Sequence, residues 1–421
     1  MESSAPTHPI RLVVTDDLRR SRLTVFFRFL LAIPHLLWLS LWSAVAFVIV
    51  VINWFATLFK GRSPQSLHDF LVGYFRYTTH VLAYLYLAAN PFPAFFVGSV
   101  GPYPIDLEID PPAAQSRAKT GFRLLLVLPA LLVASVLLGC AFVAAFLAWF
   151  SALVRGRAPR GLRDLTAWAL GYYGQMRGYR SLITDRYPYS GPEAFLADLE
   201  PPEVDERLPR LVNDDDLRRS RVTVFFRFPL AVPHLVWLVG WTVLGVLAWV
   251  LNWFATLAIG RSPRPFARFL SSYVRYAVHV SAFVYLIGNP FPGFLGKPGS
   301  YPVDVAIDPF PRQSRWVTLG RVPFLYGLAP LVLPVLLLWS YAISGIVLVT
   351  AFLGWFAALV TGRMPAGLQR AGAYAVGYYA QLYAYWWLLT DRYPHSSPQA
   401  VFVGPEPVQQ TLNSEPPGAF V

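Results

Sequence analysis

"WFATLFKGRSP", residues 54–64, recurs with small changes at three further places in the chain. The copies are "WFSALVRGRAP" at 149–159, "WFATLAIGRSP" at 253–263 and "WFAALVTGRMP" at 355–365. Each copy ends a long apolar run and keeps the glycine, the arginine and the proline. Gly61 can take the left-handed conformation that closes a helix, Ser63 can cap a following helix, and Pro64 suits its first turn. The stretch therefore predicts the turn of a helical hairpin.

Composition indicates a membrane protein. Of the 421 residues, 55% are hydrophobic and 14% are charged, whereas soluble domains carry roughly 25% charged residues. The apolar residues fall in long blocks, such as 31–59 and 124–154, and these blocks exceed the roughly 20 residues that a spanning helix needs. The sequence therefore predicts an all-α integral membrane protein.

The charge balance indicates the class of partner. The chain has 35 basic and 23 acidic residues, which gives a net charge of +12. Because the arginines flank apolar blocks instead of forming a soluble basic domain, we expect anionic membrane lipids, and not nucleic acid, as the partner. The start of the chain lacks the ordered regions of a cleavable signal peptide.

The repeat extends well beyond the quoted stretch. Residues from Leu12 match residues from Leu211, an offset of 199, so the chain is a duplication of two halves. A shift of 95 within the first half aligns Ser21 with Ser116, so each half holds two units, and the fourth unit carries an insertion of about eight residues. The predicted boundaries are a flexible N-terminus at 1–9, units at 10–98, 103–196, 209–296 and 301–398, and a disordered tail at 399–421.

Each unit carries the same succession of patterns. An alternating stretch opens the unit and predicts a short β-strand at the membrane surface. Ser21, Thr24 and Arg28 then share one helical face, which predicts an amphipathic interfacial helix that Pro34 ends. A long apolar helix, the GR-x-P turn and an aromatic returning helix follow. The strands are predicted at 10–14, 105–110, 210–212 and 303–308.

The number of membrane crossings is open at this point. Two crossings per unit give about eight transmembrane helices, which is the reading we favour. It places arginines on both membrane faces, against the bias for positive charge on the cytoplasmic side. In the alternative, residues 23–59 form a re-entrant hairpin kinked near Pro34, and all the arginines lie on the cytoplasmic face.

Arginines recur at equivalent positions beside the apolar blocks, where their side chains can reach lipid phosphates. They follow the serine of each unit, open the long helix and occupy the GR-x-P turn. The hypothesis is a set of headgroup-binding arginines comprising Arg22, Arg28, Arg62, Arg117, Arg123, Arg157, Arg221, Arg227, Arg261, Arg315, Arg321 and Arg363.

Four polar residues recur within the returning helices. They are His80, Gln175, His279 and Gln381, which align between the units. If the units pack around one centre, these side chains can converge into a polar site for a headgroup, an ion or a small solute. Hydrogen bonding between helices is the simpler interpretation.

Catalytic and metal-binding motifs are absent from the sequence, so we predict no catalytic residue, metal or cofactor. Asp106, Glu108 and Asp110 share one face of a predicted strand, and we expect that face to point to solvent. Asp214, Asp215 and Asp216 stand beside Arg218 and Arg219, which favours local ion pairs over a metal site.

Residues 54–95 and 149–190 resemble a family of membrane proteins, the domain of unknown function 4389. The resemblance rests on the Trp-Phe helix end, G-R-x-P, a helix with arginine and aromatic residues, and a D-R-Y-P stop that units one and three replace with N-P-F-P. It covers about 40 residues in each of the four units. The resemblance implies a multi-pass protein of the bacterial inner membrane and brings no reaction with it.

Three functions are compatible with the sequence. The first is a non-catalytic protein that binds or moves lipids or other amphiphiles through its arginine-lined interface. The second is a channel or transporter for a small solute or ion, lined by the His/Gln set. The third is a membrane enzyme acting on a lipid, which requires two carboxylates facing a cleft. We favour the first.

Overall fold

The computed structural model of the chain describes residues 8–95, 103–307 except 198, 201, 204 and 206, then 312–321 and 332–402. Within 332–337 only the backbone is described. Most of the N-terminus and of the tail predicted at 399–421 lie outside the described residues. The same holds for the region of the insertion in the fourth unit.

The described chain is mostly helical and consists of four units of similar composition. The first contains β1 (Ile10–Val14), α1 (Arg22–Phe26), α2 (Arg28–Lys60) and α3 (Gln65–Leu85). The second contains β2 (Ile105–Ile109), α4 (Arg117–Gly121), α5 (Arg123–Leu126), α6 (Leu128–Arg155), α7 (Arg160–Arg180) and α8 (Glu193–Leu196). The third contains β3 (Arg210–Asn213), α9 (Arg221–Phe225), α10 (Arg227–Ile259) and α11 (Arg264–Val284). The fourth contains β4 (Val303–Ala306), α12 (Arg315–Gly320), α13 (Val332–Thr361) and α14 (Ala366–Trp386).

The GR-x-P turn joins a long helix to a returning helix, as predicted. Gly61 closes α2 with a φ of 74°, in the left-handed region that glycine adopts without steric cost. The prediction for Ser63 is wrong, because Pro64 occupies the position before α3. The Ser63 hydroxyl instead donates to Oδ1 of Asn53 at 2.7 Å and so ties the turn to the long helix.

The break between the short and the long helix lies earlier than predicted. Helix α1 ends before Phe27, and α2 begins at Arg28 and continues through Pro34 as one helix of 33 residues. Pro34 lies in the second turn of α2, where it removes one helical hydrogen bond and does not end the helix. A re-entrant hairpin within residues 23–59 is therefore not present.

The four predicted strands form two small antiparallel sheets. Strand β1 pairs with β2, with Ile10 opposite Ile109, and β3 pairs with β4. The first sheet packs closely on α7, because glycines leave room for it. A Cβ added at Gly174 or Gly178 would collide with Leu107 or Ile10 of the sheet.

The long helices of the two units in one half run in opposite directions. The indole of Trp54, near the end of α2, donates to the carbonyl of Thr120 in α4 at 3.0 Å. The indole of Trp149, near the end of α6, donates to the carbonyl of Val25 in α1 at 3.1 Å. Each long helix therefore ends against the short helix that opens the other unit.

The elements stack in three layers. The first layer holds the long helices α2, α6, α10 and α13, the second holds the returning helices α3, α7, α11 and α14, and the third holds the two sheets and α8. Each returning helix contacts the long helix of its own unit and a strand. The result is a slab with long helices on one face and strands on the other.

The two halves join layer to layer. In the first layer α6 runs along α13, where the Cys140 thiol lies 3.1 Å from the carbonyl oxygen of Ala342. In the second layer Trp168 of α7 meets Tyr374 of α14 edge to face, with 5.4 Å between ring centroids. In the third layer the Gln399 amide donates to the carbonyl of Leu196 in α8. The long helices of both halves therefore lie on the same face.

Four helices of the described chain are long and apolar enough to cross a membrane, and they support a membrane protein. They are Arg28–Lys60, Arg123–Arg155, which joins α5 to α6, Arg227–Ile259 and Leu338–Thr361. The prediction of about eight spans is not supported. The returning helices are buried between other layers, so they can carry charged residues such as Arg76 and Asp164 and do not reach the apolarity of a span.

The left-handed turn yields a test of the fold. We expect Gly61→Ala to lower the free energy of unfolding by about 1 kcal/mol, because an L side chain is strained at this φ. An added Cβ at Gly61 meets no atom of the surrounding residues within 4 Å. The loss of stability therefore comes from local backbone strain and not from a clash with the rest of the protein. Chemical unfolding of the protein in detergent measures it.

Gly73→Ala is the matched control. Gly73 lies inside α3 with ordinary helical geometry, and an added Cβ there also meets nothing within 4 Å. We expect that change to raise stability, by up to about 1 kcal/mol. Shifts of the same sign and size for both variants would contradict the left-handed assignment of Gly61.

Candidate functional site

The structure divides the twelve candidate arginines into two classes. One class is buried and opens the long helices, and the other is exposed at their ends. The buried class is Arg28, Arg123, Arg227 and Arg321. The exposed class is Arg22, Arg62, Arg117, Arg157, Arg221, Arg261, Arg315 and Arg363.

Each buried arginine binds the turn that follows the returning helix in its own unit. Arg28 is 2% exposed. Its guanidinium donates to the carbonyl of Ala89 at 3.1 Å and lies 4.3 Å from the ring centroid of Tyr84. The Ala89 carbonyl lies in the buried turn after α3, outside the helical hydrogen-bond ladder, and a buried donor satisfies it.

The other three units repeat this contact. Arg123 donates to the carbonyl of Thr184 at 3.2 Å and to the carboxylate of Asp185 at 3.0 Å. Arg227 donates to the carbonyl of Gly288 at 2.6 Å, and Arg321 donates to that of Thr390 at 2.9 Å. We therefore assign the four buried arginines a structural role and keep the headgroup hypothesis only for the exposed class.

The exposed arginines fall into pairs where two units of one half touch, because one arginine of each pair binds a backbone carbonyl three residues before the other. We call each pair an arginine corner. It consists of the arginine after the serine of one unit and the GR-x-P arginine of the other unit. The corners are Arg22 with Arg157, Arg62 with Arg117, Arg221 with Arg363, and Arg261 with Arg315.

Backbone contacts fix each corner. In the first, the amide of Arg20 donates to the carbonyl of Gly156 at 2.9 Å, and Arg22 donates to the carbonyl of Val154 at 2.9 Å. In the second, Arg117 makes the equivalent bond to Phe59 at 3.0 Å. One arginine of each corner thus covers the C-terminal end of a long helix, where positive charge is favoured.

The corners differ in the acid beside them. At the second corner Asp185 pairs with Lys119 at 3.4 Å and with Arg123. At the fourth, Asp391 accepts from the amide of Ser314 at 3.0 Å. Units one and three have Asn90 and Asn289 at the aligned positions. The first and third corners therefore lack an acid at this position.

The two histidines of the predicted central site bind acids of the sheets. His80 Nε2 lies 2.8 Å from Oδ1 of Asp106 in β2, and Arg76 donates to the same oxygen at 3.0 Å. His279 Nε2 lies 3.0 Å from Oδ1 of Asp304 in β4. Each histidine therefore joins a returning helix to a strand.

The two glutamines bind backbone instead. Gln175 donates to the carbonyl of Ile10 at 3.1 Å and accepts from the amide of Tyr189 at 3.0 Å. Gln381 donates to the carbonyl of Pro209 at 3.0 Å and accepts from the amide of His395 at 2.9 Å. Among the described residues no hydrogen bond joins any two of the four predicted side chains, so the structure gives no support to a shared polar ring.

The expectation that Asp106 faces solvent is wrong, because Asp106 is 3% exposed. Burial alone would raise the pKa of its carboxyl group, but hydrogen bonds from His80 and Arg76 outweigh burial and hold that pKa below its usual range. The sequence contains a spacing that could have predicted this cluster. Arg76 and His80 are four positions apart on one helical face, and the pair recurs as Arg275 and His279.

An open cavity of about 510 Å³ lies beside the second histidine–aspartate pair. Asp214, Arg275 and Asp304 are among the residues that line it. Both oxygens of Asp304 are engaged, Oδ1 by His279 and Oδ2 by the amide of Gly299 at 2.6 Å. The cavity therefore does not present the two free carboxylates that an enzymatic hypothesis requires.

The acidic runs near the unit starts form ion pairs. Asp16 pairs with Arg20 at 2.8 Å, and Asp215 pairs with Arg219 at 2.7 Å, all four side chains being almost fully buried. Across the described parts of the chain, no group of three or more potential metal-ligating side chains is present. Local pairing is thus the role that the structure gives to these aspartates.

Comparison with known proteins supports the repeat. A family model described as "Domain of unknown function (DUF4389)" matches the chain four times, at residues 22–97, 117–190, 221–295 and 330–397. The match confirms the resemblance and its tandem arrangement. No curated protein and no solved structure matches the chain.

The buried acid provides a test of the helix-to-strand link. We expect Asp106→Asn to lower the free energy of unfolding by about 3 kcal/mol, because it leaves the buried Arg76 without its counter-charge. Glu108→Gln, two residues along the same strand, is the control. Glu108 is 41% exposed and pairs with Arg11, so its loss should cost less than about 1 kcal/mol. Equal losses would contradict the assigned role of Asp106.

The stability difference between wild type and Asp106→Asn should depend on pH. Since the folded-state pKa of Asp106 is lowered, its stabilisation is complete above the unfolded-state pKa of about 3.9 and is lost as the pH falls through the folded-state pKa. We expect the stability difference between wild type and Asp106→Asn to be constant from about pH 6 to 8 and to shrink below about pH 4. A gap that widens on acidification would refute this.

Proposed function

The chain belongs to the DUF4389 family, whose domain it carries four times, and we propose that this membrane protein binds anionic lipid headgroups at its four arginine corners. The proposal is restricted to the eight exposed arginines. The buried arginines and the His/Gln set take no part in it, because their polar atoms serve the fold.

The observation that supports this proposal is that the exposed arginines have no counter-ion among the residues that the structure describes. None of the eight forms an ion pair with a carboxylate in the parts of the chain that the structure describes. Other exposed arginines, such as Arg11 and Arg207, are paired with acids. The lack of a described ion pair at all eight equivalent arginines supports an external anion as the partner.

The chemistry of the corners suits a phosphate. A guanidinium group has five N–H donors in a planar fork. In the first corner Arg22 uses Nη2 for the carbonyl of Val154, and further donors remain for a ligand. Arginine, and not lysine, occupies all eight positions, and its fork matches two phosphate oxygens at once.

Apolar groups beside the corners suit the acyl chains of the same lipid. At the first corner Phe26 and Phe27 are 60% and 43% exposed. A mostly apolar groove of about 300 Å³ runs nearby and is lined by Phe26, Phe29, Phe142, Phe146 and Trp149, among others. Its volume is at the lower end for ligand pockets, which favours one chain over a bulky ring system.

Lipid titration followed by native mass spectrometry in detergent tests the proposal. We expect the double variant Arg22→Gln with Arg157→Gln to lose about 30-fold in affinity for an anionic lipid at the first corner, since each arginine near a headgroup contributes about 1 kcal/mol. Binding of a zwitterionic lipid should change much less. The groove is untouched by either substitution.

Two comparisons within the chain act as controls. Arg207→Gln with Arg392→Gln removes the same charge from exposed arginines that pair with Asp205, and it should leave lipid affinity unchanged. Arg62→Gln with Arg117→Gln should cost less than the first corner does, because Asp185 already offsets part of that charge. If all three double variants lose affinity equally, net charge alone explains binding and the corners have no specific role.

A further inference from the structure

The long-helix layer presents a continuous apolar surface. On α2, Phe29, Phe47 and Phe59 are each 71–72% exposed, and they mark the start, the middle and the end of the helix. Helix α10 repeats the pattern from Phe228 at 69% to Ile259 at 57%. The surface thus covers the whole length of the long helices and does not form a belt around their middle.

The opposite face of the slab is polar. On the first sheet Arg11 pairs with Glu108 at 3.5 Å and with Asp110 at 3.0 Å, and all three side chains are 41–46% exposed. The first sheet has two strands in the described chain, so its edges carry backbone groups that need water or another partner. Hydrocarbon around this face would leave charges and strand edges unsatisfied.

The directions of the helices show that the polar face of the slab conflicts with long helices that span the membrane. The returning helix α3 runs antiparallel to α2 along its length, because His35 meets Tyr77 at 2.8 Å and Ser43 meets Tyr74 at 2.7 Å. The first sheet lies along α3, where Asp106 binds His80. If α2 stood across a bilayer, the sheet would lie beside it at membrane depth.

The length of α2 and the positions of the arginine corners also conflict with a spanning arrangement. Helix α2 has 33 residues, which is about 50 Å, whereas the hydrocarbon core is about 30 Å thick. The first corner lies at the start of α2 and the second at its end. Spanning helices would therefore divide the corners between the two membrane faces.

We propose that the four long helices lie flat in one leaflet, as an apolar floor beneath a water-exposed body. The floor enters the acyl-chain region, the arginine corners surround it at the headgroup level, and the sheets face water. This deepens the proposed function, on which it rests for the role of the corners. The apolar floor and the polar opposite face support it independently.

Cysteine accessibility separates the two placements. Lys60 and Arg155 are exposed and each precedes the glycine of a GR-x-P turn, but they lie at opposite ends of the first layer. In a Cys140→Ala background, we expect Lys60→Cys and Arg155→Cys to react with a membrane-impermeant maleimide from the same side of sealed vesicles. Glu108→Cys, on the outer face of the sheet, should react from that side as well. Reaction of the first two from opposite sides would overturn the proposal.

Measurements of membrane depth along α2 distinguish a flat helix from a spanning helix even where the maleimide fails to react. Spin labels at Phe29→Cys, Phe47→Cys and Phe59→Cys report immersion through their relative exposure to oxygen and to a water-soluble relaxation agent. For a flat helix we expect three similar depths, about 5–10 Å below the headgroups. A helix that spans gives one deep label between two shallow ones, and that profile would exclude the floor.

The outcomes keep this inference separate from lipid binding. Same-side labelling together with unchanged lipid affinity in the Arg22 and Arg157 double variant would leave the floor standing and remove the corner function. Opposite-side labelling together with lost lipid affinity would remove the floor and leave the corner function standing. All variants used for labelling keep the eight corner arginines.

Discussion

The fold depends on how the returning helices end. Each is followed by a turn whose carbonyl groups are enclosed by protein, and leaving such groups unpaired is costly. One arginine per unit, equivalent to Arg28, enters from the start of the long helix, donates to these carbonyls and lies against an aromatic ring. A leucine in left-handed conformation, such as Leu87 with a φ of 58°, turns the chain at the same place. Because the arginine joins the end of the short helix to the turn after the returning helix, it holds the two ends of each unit together.

Local patterns predicted the elements well. Alternation identified all four strands, the glycine of the GR-x-P turn takes its expected conformation, and the repeat was visible as identical spacing. These features depend on residues close together in the chain. The membrane class also followed from composition, since long apolar blocks have few other stable placements.

Burial and long-range pairing were not predictable in the same way. Arg22 and Arg28 are six residues apart in similar aromatic surroundings, yet one is exposed and the other is 2% exposed. The difference arises from the end of α3, some 60 residues away, which no local pattern encodes. Likewise, Asp106 is buried because Arg76 and His80 meet it from another element. The count of eight crossings is not supported, because hydropathy was read helix by helix, whereas burial between layers lets a returning helix be polar.

The reciprocal closure of the corners has a consequence for synthesis. The amide of Arg20 binds the carbonyl of Gly156, and the amide of Gln115 binds the carbonyl of Gly61. Each of these hydrogen bonds joins two units, so a single unit can form neither of them. The smallest piece that can complete itself is a pair of units. As the chain leaves the ribosome, the opening helix must wait for more than 130 residues before its docking site emerges. During that interval Val25, which the folded protein buries against Ala148 and Ala152, lacks its partners from the second unit.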